Sequence, residues 1–118
     1  MSLKVYGIPT CSTCKKALAW LKQNNIAHEW VNTREAAPTV ELIQKWIADL
    51  DNKRLRNTSG KSYRALGQEK QEWDDAQWAR AFASDAMLLK RPIFTRNNRA
   101  LMTGFRGSEE ILLKTLKD

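Results

Sequence analysis

A chain of 118 residues, 42% hydrophobic and 28% charged, is long enough to bury one core without disulfide or metal staples. No apolar run approaches the roughly 20 residues of a membrane helix, and Met1-Ser2-Leu3-Lys4 lacks the apolar stretch of a secretory signal. A cytoplasmic protein without a membrane partner is expected. Twenty Lys and Arg against thirteen Asp and Glu give a net charge of +7, which favours anionic partners. No zinc-finger, basic-zipper or RNA-recognition pattern is present, so direct nucleic-acid reading is not expected.

Leu3 to Gly7 alternates as a short strand, and Gly7 and Pro9 punctuate the turn after it. From Ser12 the pattern is helical, with Ala17, Leu18, Leu21 and Trp20 as an apolar stripe, and it stops near Asn24-Asn25. Ile26 to Val31 alternates again. A strand, helix and strand of this length form a βαβ unit with parallel strands and a right-handed crossover. Trp30 is expected in the core and His28 on a half-exposed strand face.

Thr39 caps a helix from Val40 to about Asp49, with Leu42, Ile43, Trp46, Ile47 and Leu50 on its apolar face. Asp51 to Gly60 is polar and turn-rich. Lys61 to Leu66 reads as a short helix that Gly67 ends. Asp74 and Asp75 start a helix to about Ser84, with Trp78, Ala81 and Phe82 inward and Trp73 anchored beside it. Ile93-Phe94 and Ala100-Leu101-Met102 form a hairpin about Asn97-Asn98. Gly104 and Gly107 are loop residues. Ser108 starts a last helix, Glu109 to Lys117, with Ile111, Leu112 and Leu116 buried. The expectation is a single α/β domain over 1–118. Its βαβ part spans about 1–38 and its ββα part about 89–118, with an all-helical insertion over about 39–88. Lys53, Arg54, Arg56, Lys61, Arg64 and Lys70, and later Lys90, Arg91, Arg96, Arg99 and Arg106, read mostly as solvated faces.

Both cysteines lie in Thr10-Cys11-Ser12-Thr13-Cys14-Lys15-Lys16-Ala17, between the first strand and its helix. A thiol just ahead of a helix N-terminus meets unpaired N–H groups and the positive end of the dipole. Both favour thiolate over thiol, and the same N–H groups can receive an oxyanion. Cys11 reads as nucleophile and Cys14 as its resolving partner, in a thioredoxin-like redox motif. Two readings stand beside this one. Half of a zinc site needs four ligands, and His28 is the only further nitrogen ligand of that kind, so one chain does not complete it and no metal is expected. Two inert buried thiols are the other.

The loop at Cys11, the triplet Arg91-Pro92-Ile93, the segment Asn57-Thr58-Ser59-Gly60-Lys61-Ser62-Tyr63-Arg64 and the pair Gly104-Phe105 together resemble the ArsC/Spx family. That family comprises glutaredoxin-coupled arsenate reductases, Spx-type redox regulators of RNA polymerase, and small relatives. The resemblance implies a thioredoxin-like fold with a mixed four-stranded sheet and a helical insertion. It implies that Arg91 points at the thiol and that a cis peptide bond precedes Pro92. A guanidinium fork there would pair with an oxyanion and help keep Cys11 ionised. Thr10, Ser12, Thr13, Asn57 and Arg106 are the candidate substrate-binding positions.

Three features depart from the reductase pattern. A second cysteine follows the first, as in Spx; Asn57 stands where the reductases carry an arginine; and Arg106 aligns with their third arginine only across a gap. Arg56, next to Asn57, should point elsewhere. The resemblance implies a thiol-dependent reductase without a bound cofactor. Cys11 would attack an oxyanion or a glutathione-type disulfide, and Cys14 or glutathione would resolve the adduct. Glutathione is then the co-substrate, with glutaredoxin as a partner. The alternative is a Spx-like regulator that binds RNA polymerase through a Cys11–Cys14 switch. A third reading is an interaction domain with a relict site. A monomer is expected.

Overall fold

The computed structural model describes residues 3–117. Met1, Ser2 and Asp118 lie outside the described residues, and with them part of the Met1–Lys4 run read for targeting. Strand β1 (Leu3–Gly7), helix α1 (Ser12–Gln23) and strand β2 (His28–Asn32) form the expected βαβ unit. β1 and β2 pair in parallel from Leu3 opposite His28 to Gly7 opposite Asn32. Four helices follow: α2 (Val40–Leu50), α3 (Asn52–Leu55), α4 (Lys61–Ala65) and α5 (Asp75–Ser84). Short 3₁₀ segments at Gln68–Glu72 and Ala86–Leu88 complete this region. The chain closes with β3 (Ile93–Arg96), β4 (Arg99–Thr103) and α6 (Glu109–Leu116). The sheet order is β2-β1-β3-β4, with β3 antiparallel to both neighbours. This is the mixed four-stranded, thioredoxin-like arrangement that the element order implies.

Strand alternation sends side chains to two separate cores. Leu3 and Val5 of β1 and Phe94 of β3 pack with Ala17 and Leu21 of α1 and with Leu112 and Leu116 of α6. Tyr6, Ile93 and Ala100 face the other way, onto Ile43 and Trp46 of α2 and Trp78 and Phe82 of α5. The Tyr6 ring meets Trp46 edge-on with centroids 4.9 Å apart. β1 is therefore buried on both faces, and the loop that leaves its C-terminal end starts from the most constrained part of the molecule. Among the described residues, no helix is long and apolar enough to cross a membrane.

Local caps set most boundaries. Thr39 caps α2, Asp74 and Gln77 form a reciprocal capping box on α5, and Ser108 caps α6. Asn97 and Asn98 both take positive φ, 55° and 64°, as a two-residue hairpin turn requires.

The structure corrects several expectations. The second strand starts at His28 rather than Ile26. The Ile26 N–H bonds to the Leu21 carbonyl and the Asn25 N–H to that of Lys22, with Asn25 at φ 55°. That is a Schellman closure of α1, with Ile26 packed in the same core as Leu21. Asp51–Gly60 contains α3, whose Leu55 is fully buried. The short helix expected over Lys61 to Leu66 ends at Ala65, one residue earlier, with Leu66 as its extended C-cap and Gly67 extended at φ −73°. Ile111 is 58% exposed, not buried. Leu112 and Leu116, four apart, form the stripe α6 turns to the sheet, and Ile111 stands about 100° round the helix from Leu112. Trp30 is half-buried, because β2 is the sheet edge. On α5 it is Ala79 that is buried, while Ala81 is half-buried.

Candidate functional site

Ile8, Pro9 and Thr10 turn the chain between β1 and α1. The Cys11 N–H closes that turn on the Ile8 carbonyl at 3.2 Å, and the Cys11 carbonyl accepts from the Lys15 N–H at 3.0 Å. Cys11 is therefore the N-cap residue of α1, extended at φ −78° and ψ 122°. The neutral thiol makes no capping hydrogen bond, but ionisation turns it into a strong acceptor. Burial opposes that ionisation. The Cys14 N–H, the Cys14 thiol, the Thr13 N–H and the Arg91 guanidinium together outweigh it and hold the Cys11 thiol below its ordinary value.

Cys14, three residues on, faces inward and is fully buried. A Cβ added to Gly7 would lie 2.6 Å from its sulfur and 3.0 Å from the Trp30 ring. A glycine at the end of β1 is thus what makes room for the second thiol. Burial pushes the Cys14 thiol up to about 11, opposed by the Ile8 N–H. The hydrogen bond and charge of Cys11 push the same way as burial, and the Arg91 charge pulls weakly back.

Arg91 leads into β3 through a cis Arg91–Pro92 peptide bond, with Pro92 buried. Its Nη1 donates to the Leu89 carbonyl at 3.2 Å and the Met87 carbonyl at 3.5 Å. Its Nε is buried with no hydrogen-bond partner among the described residues.

A cleft of ≈ 460 Å³ opens over Cys11. Cys11 and Thr13 come from the start of α1, and Asn57, Ser59 and Gly60 from the turn before α4. Lys90 and Arg91 come from the approach to β3, and Gly104, Phe105 and Arg106 from the turn after β4. The structure thus gathers Cys11, Thr13, Arg91, Asn57 and Arg106 around one space. Cys14 lies behind Cys11, and Thr10 and Ser12 are exposed and outside the lining. Asn57 is turned to its own neighbourhood: its Nδ2 donates to the Met87 carbonyl at 3.4 Å and its Oδ1 accepts from Ser59 Oγ at 3.3 Å. Arg56 points elsewhere, its guanidinium 4.2 Å from the Trp78 ring centroid.

His28 lies away from this site. Its Nδ1 is 2.9 Å from the Ile26 carbonyl, and it pairs with Leu3, at the opposite end of β1 from the loop. Among the described residues, no group of three His, Cys, Asp or Glu side chains is placed to hold a metal ion.

The model of the ArsC family matches residues 6–112. The chain belongs to the ArsC family. It is similar to the uncharacterized protein YusI of Bacillus subtilis, at 33% identity over 92% of this chain and 95% of that one. It is also similar to a solved structure described as a possible arsenate reductase from Streptococcus mutans. That match has TM-score 0.84 and 34% identity, over 93% of this chain and 96% of the other. The global transcriptional regulator Spx of Streptococcus mutans is 24% identical over 86% of this chain and 74% of that protein. The ArsC family thus carries reductase and regulator names on one fold.

The sequence points to the thiol loop and Arg91 of this ArsC chain as site residues; Ser59, Gly60, Gly104 and Phe105 stand in it only as part of the segments that carry the family resemblance, and Lys90 only as surface charge. Lys90 was grouped with solvated charge, although it immediately precedes Arg91-Pro92. Phe105 is set by aromatic packing against Trp20 and Phe94, at centroid distances of 5.7 and 6.4 Å.

Proposed function

We propose that this ArsC-family chain is a thiol-dependent reductase that cleaves small mixed disulfides. One observation carries the reading. A half-buried thiol of enhanced acidity opens into a cleft beside an arginine, with a second thiol buried directly behind it. The Cys11 thiolate attacks one sulfur of a disulfide, forming a Cys11 mixed disulfide, and the other sulfur leaves as a thiolate. Arg91 and the N–H groups at the start of α1 stabilise the negative charge along that path. Cys14 or a glutathione thiol then attacks the Cys11 sulfur and releases the bound thiol. Two glutathione thiols, directly or through glutaredoxin, return a Cys11–Cys14 disulfide to thiols and leave as glutathione disulfide. No bound cofactor is needed, and a reducing cytoplasm supplies the electrons.

A disulfide is the substrate we favour over a tetrahedral oxyanion: of the cleft's cations only Arg91 is placed at the thiol by its hydrogen bonds, Arg56 lies over Trp78, and Asn57 is a neutral amide tied to Met87 and Ser59. The cleft volume falls in the ~300–1,000 Å³ range of small-molecule sites. The test is thiol-dependent turnover of hydroxyethyl disulfide with glutathione, run beside arsenate with glutaredoxin supplied. The expected result is disulfide turnover that Cys11→Ser abolishes, with arsenate consumed far more slowly. Turnover that survives Cys11→Ser would sink the reading.

The second thiol and the likeness to Spx support a second reading, a redox regulator whose Cys11–Cys14 pair governs binding to RNA polymerase. Retention of polymerase by one redox state and not the other, in paired pull-downs, would favour it over the reductase.

A further inference from the structure

The cleft is lined by three cations, Lys90, Arg91 and Arg106, and by no acidic side chain. Arg91 is tied to backbone carbonyls beside the thiol. Lys90 is held differently. Its N–H donates to the Leu55 carbonyl at 2.8 Å, fixing the backbone to the end of α3. Its stem then lies across Gly104, where an added Cβ would meet Lys90 Cε at 3.1 Å, Nζ at 3.8 Å and Cδ at 3.9 Å. Gly104 stands at φ +73°, its N–H bonded to the Pro92 carbonyl at 2.8 Å. That conformation favours glycine, and the missing side chain leaves a bare strip of backbone for the lysine stem. Lys90 is exposed, with one side of its stem along Gly104 and its ammonium at the cleft, and it has no hydrogen-bond or ion-pair partner among the described residues.

We propose that Lys90 forms a second anion subsite, separate from Arg91, which selects mixed disulfides whose small thiol moiety carries a carboxylate. The proposal rests on the thiol-reductase reading and names the substrate class of the same site. The uncommitted ammonium is a charge the thiol step itself does not use. A cleft of ≈ 460 Å³ has room for a substrate that spans from Cys11 to it.

The experiment uses three 2-pyridyl disulfides, made from 3-mercaptopropionate (anionic), 2-mercaptoethanol (neutral) and cysteamine (cationic). In each, the Cys11 thiolate bonds to the sulfur that bears the small group. The bond to the pyridyl sulfur breaks, and pyridine-2-thiolate leaves with the electron pair, taking a proton from solvent to give the coloured thione. Second-order release rates are measured at low and high salt. The wild-type chain is expected to prefer the anionic over the cationic probe, with the preference fading at high salt. Lys90→Gln should lower the anionic-to-cationic rate ratio about threefold and Lys90→Glu roughly tenfold, as partly exposed charge pairs do. Lys90→Arg should retain it.

A ratio unchanged in Lys90→Gln and Lys90→Glu, with release still dependent on Cys11, overturns the Lys90 subsite and leaves the reductase reading standing. A ratio that moves with Arg106→Gln and not with Lys90→Gln also overturns it. Release that persists in Cys11→Ser, or is no faster than from a free thiol with every probe, overturns both.

Discussion

The two sides of the cleft are built in opposite ways. The thiol side hangs from β1 and β3, the two central strands, and each group there is held by backbone. Cys11 is tied to Ile8, Arg91 to the Leu89 and Met87 carbonyls, and Gly104 to Pro92. The facing side, Asn57 to Gly60, is a turn outside the sheet held by side-chain hydrogen bonds to itself, to Arg64 and to the Met87 carbonyl. Ser59 donates to Asn57, and Arg64 donates to the Ser59 carbonyl at 2.7 Å. The core therefore dictates the chemistry of the sulfur and fixes the backbone of Lys90 beside it, while the Asn57–Gly60 turn across the cleft sits where replacement is tolerated. That division accounts for one frame carrying reductase and regulator names.

The largest expected effect is on the thiol side. Cys11→Ser should slow disulfide cleavage by about a thousandfold or more, read from thione release, since it removes the attacking group. Two glycine substitutions then set the sides against each other. A Cβ at Gly7 would lie 2.6 Å from Cys14 Sγ, and one at Gly60 would lie 2.7 Å from Asn57 Nδ2. The approaches are equal on paper. The Cys14 sulfur is fully buried under a packed strand, so Gly7→Ala should cost about 2 kcal/mol in urea unfolding. The Asn57 amide is the end of a side chain at the surface, and Gly60→Ala should cost under about 1 kcal/mol. Equal costs would erase the distinction between the two sides.

Arg91→Gln tests the electrostatics of the thiol side. Burial pushes the Cys11 thiol up, and the groups that outweigh it include the Arg91 guanidinium. Removing that cation should shift the alkylation pH profile of Cys11 to higher pH, so the rate at neutral pH falls severalfold while the rate at high pH converges on wild type. The smallest effect is expected from Asn57→Ala, which should change Cys11 alkylation by less than about twofold, because its amide serves Met87 and Ser59 rather than the sulfur. A large effect there would make the facing turn part of the thiol machinery.

What was legible in the sequence follows the same division. The Asn97-Asn98 turn and the caps at Thr39, Asp74 and Ser108 announce themselves by local pattern, because their hydrogen bonds close within a few residues, and β1 does so by its alternation alone. α3 does not. It has one apolar residue, Leu55, and it is held by distant partners: the Leu55 carbonyl accepts from the Lys90 N–H, and the Arg54 carbonyl accepts from the Thr103 hydroxyl at 2.7 Å. The start of β2 differs from the sequence pattern for a related reason. Ile26 looks like the start of an alternating strand, yet its N–H is claimed by Leu21. At the site, the helix-end thiol was visible from residue order alone, and the approach of Arg91 came only from the family resemblance. Lys90 was invisible as a site residue because its placement depends on a glycine from another part of the chain.

The mutual influence of the two sulfurs has a consequence for the order of events. While Cys11 carries its charge, that charge and the Cys11 hydrogen bond add to burial in keeping Cys14 protonated and silent. Once Cys11 is tied up in a mixed disulfide the charge is gone, and both of those influences go with it. Burial then stands against the Ile8 N–H, which serves Cys14 throughout, and the Arg91 cation, which has one ionisable sulfur to serve instead of two. In the proposed reductase the first reaction thus removes two of the three influences that hold Cys14 protonated and leaves burial, so charge on one sulfur would set when the other can resolve the adduct.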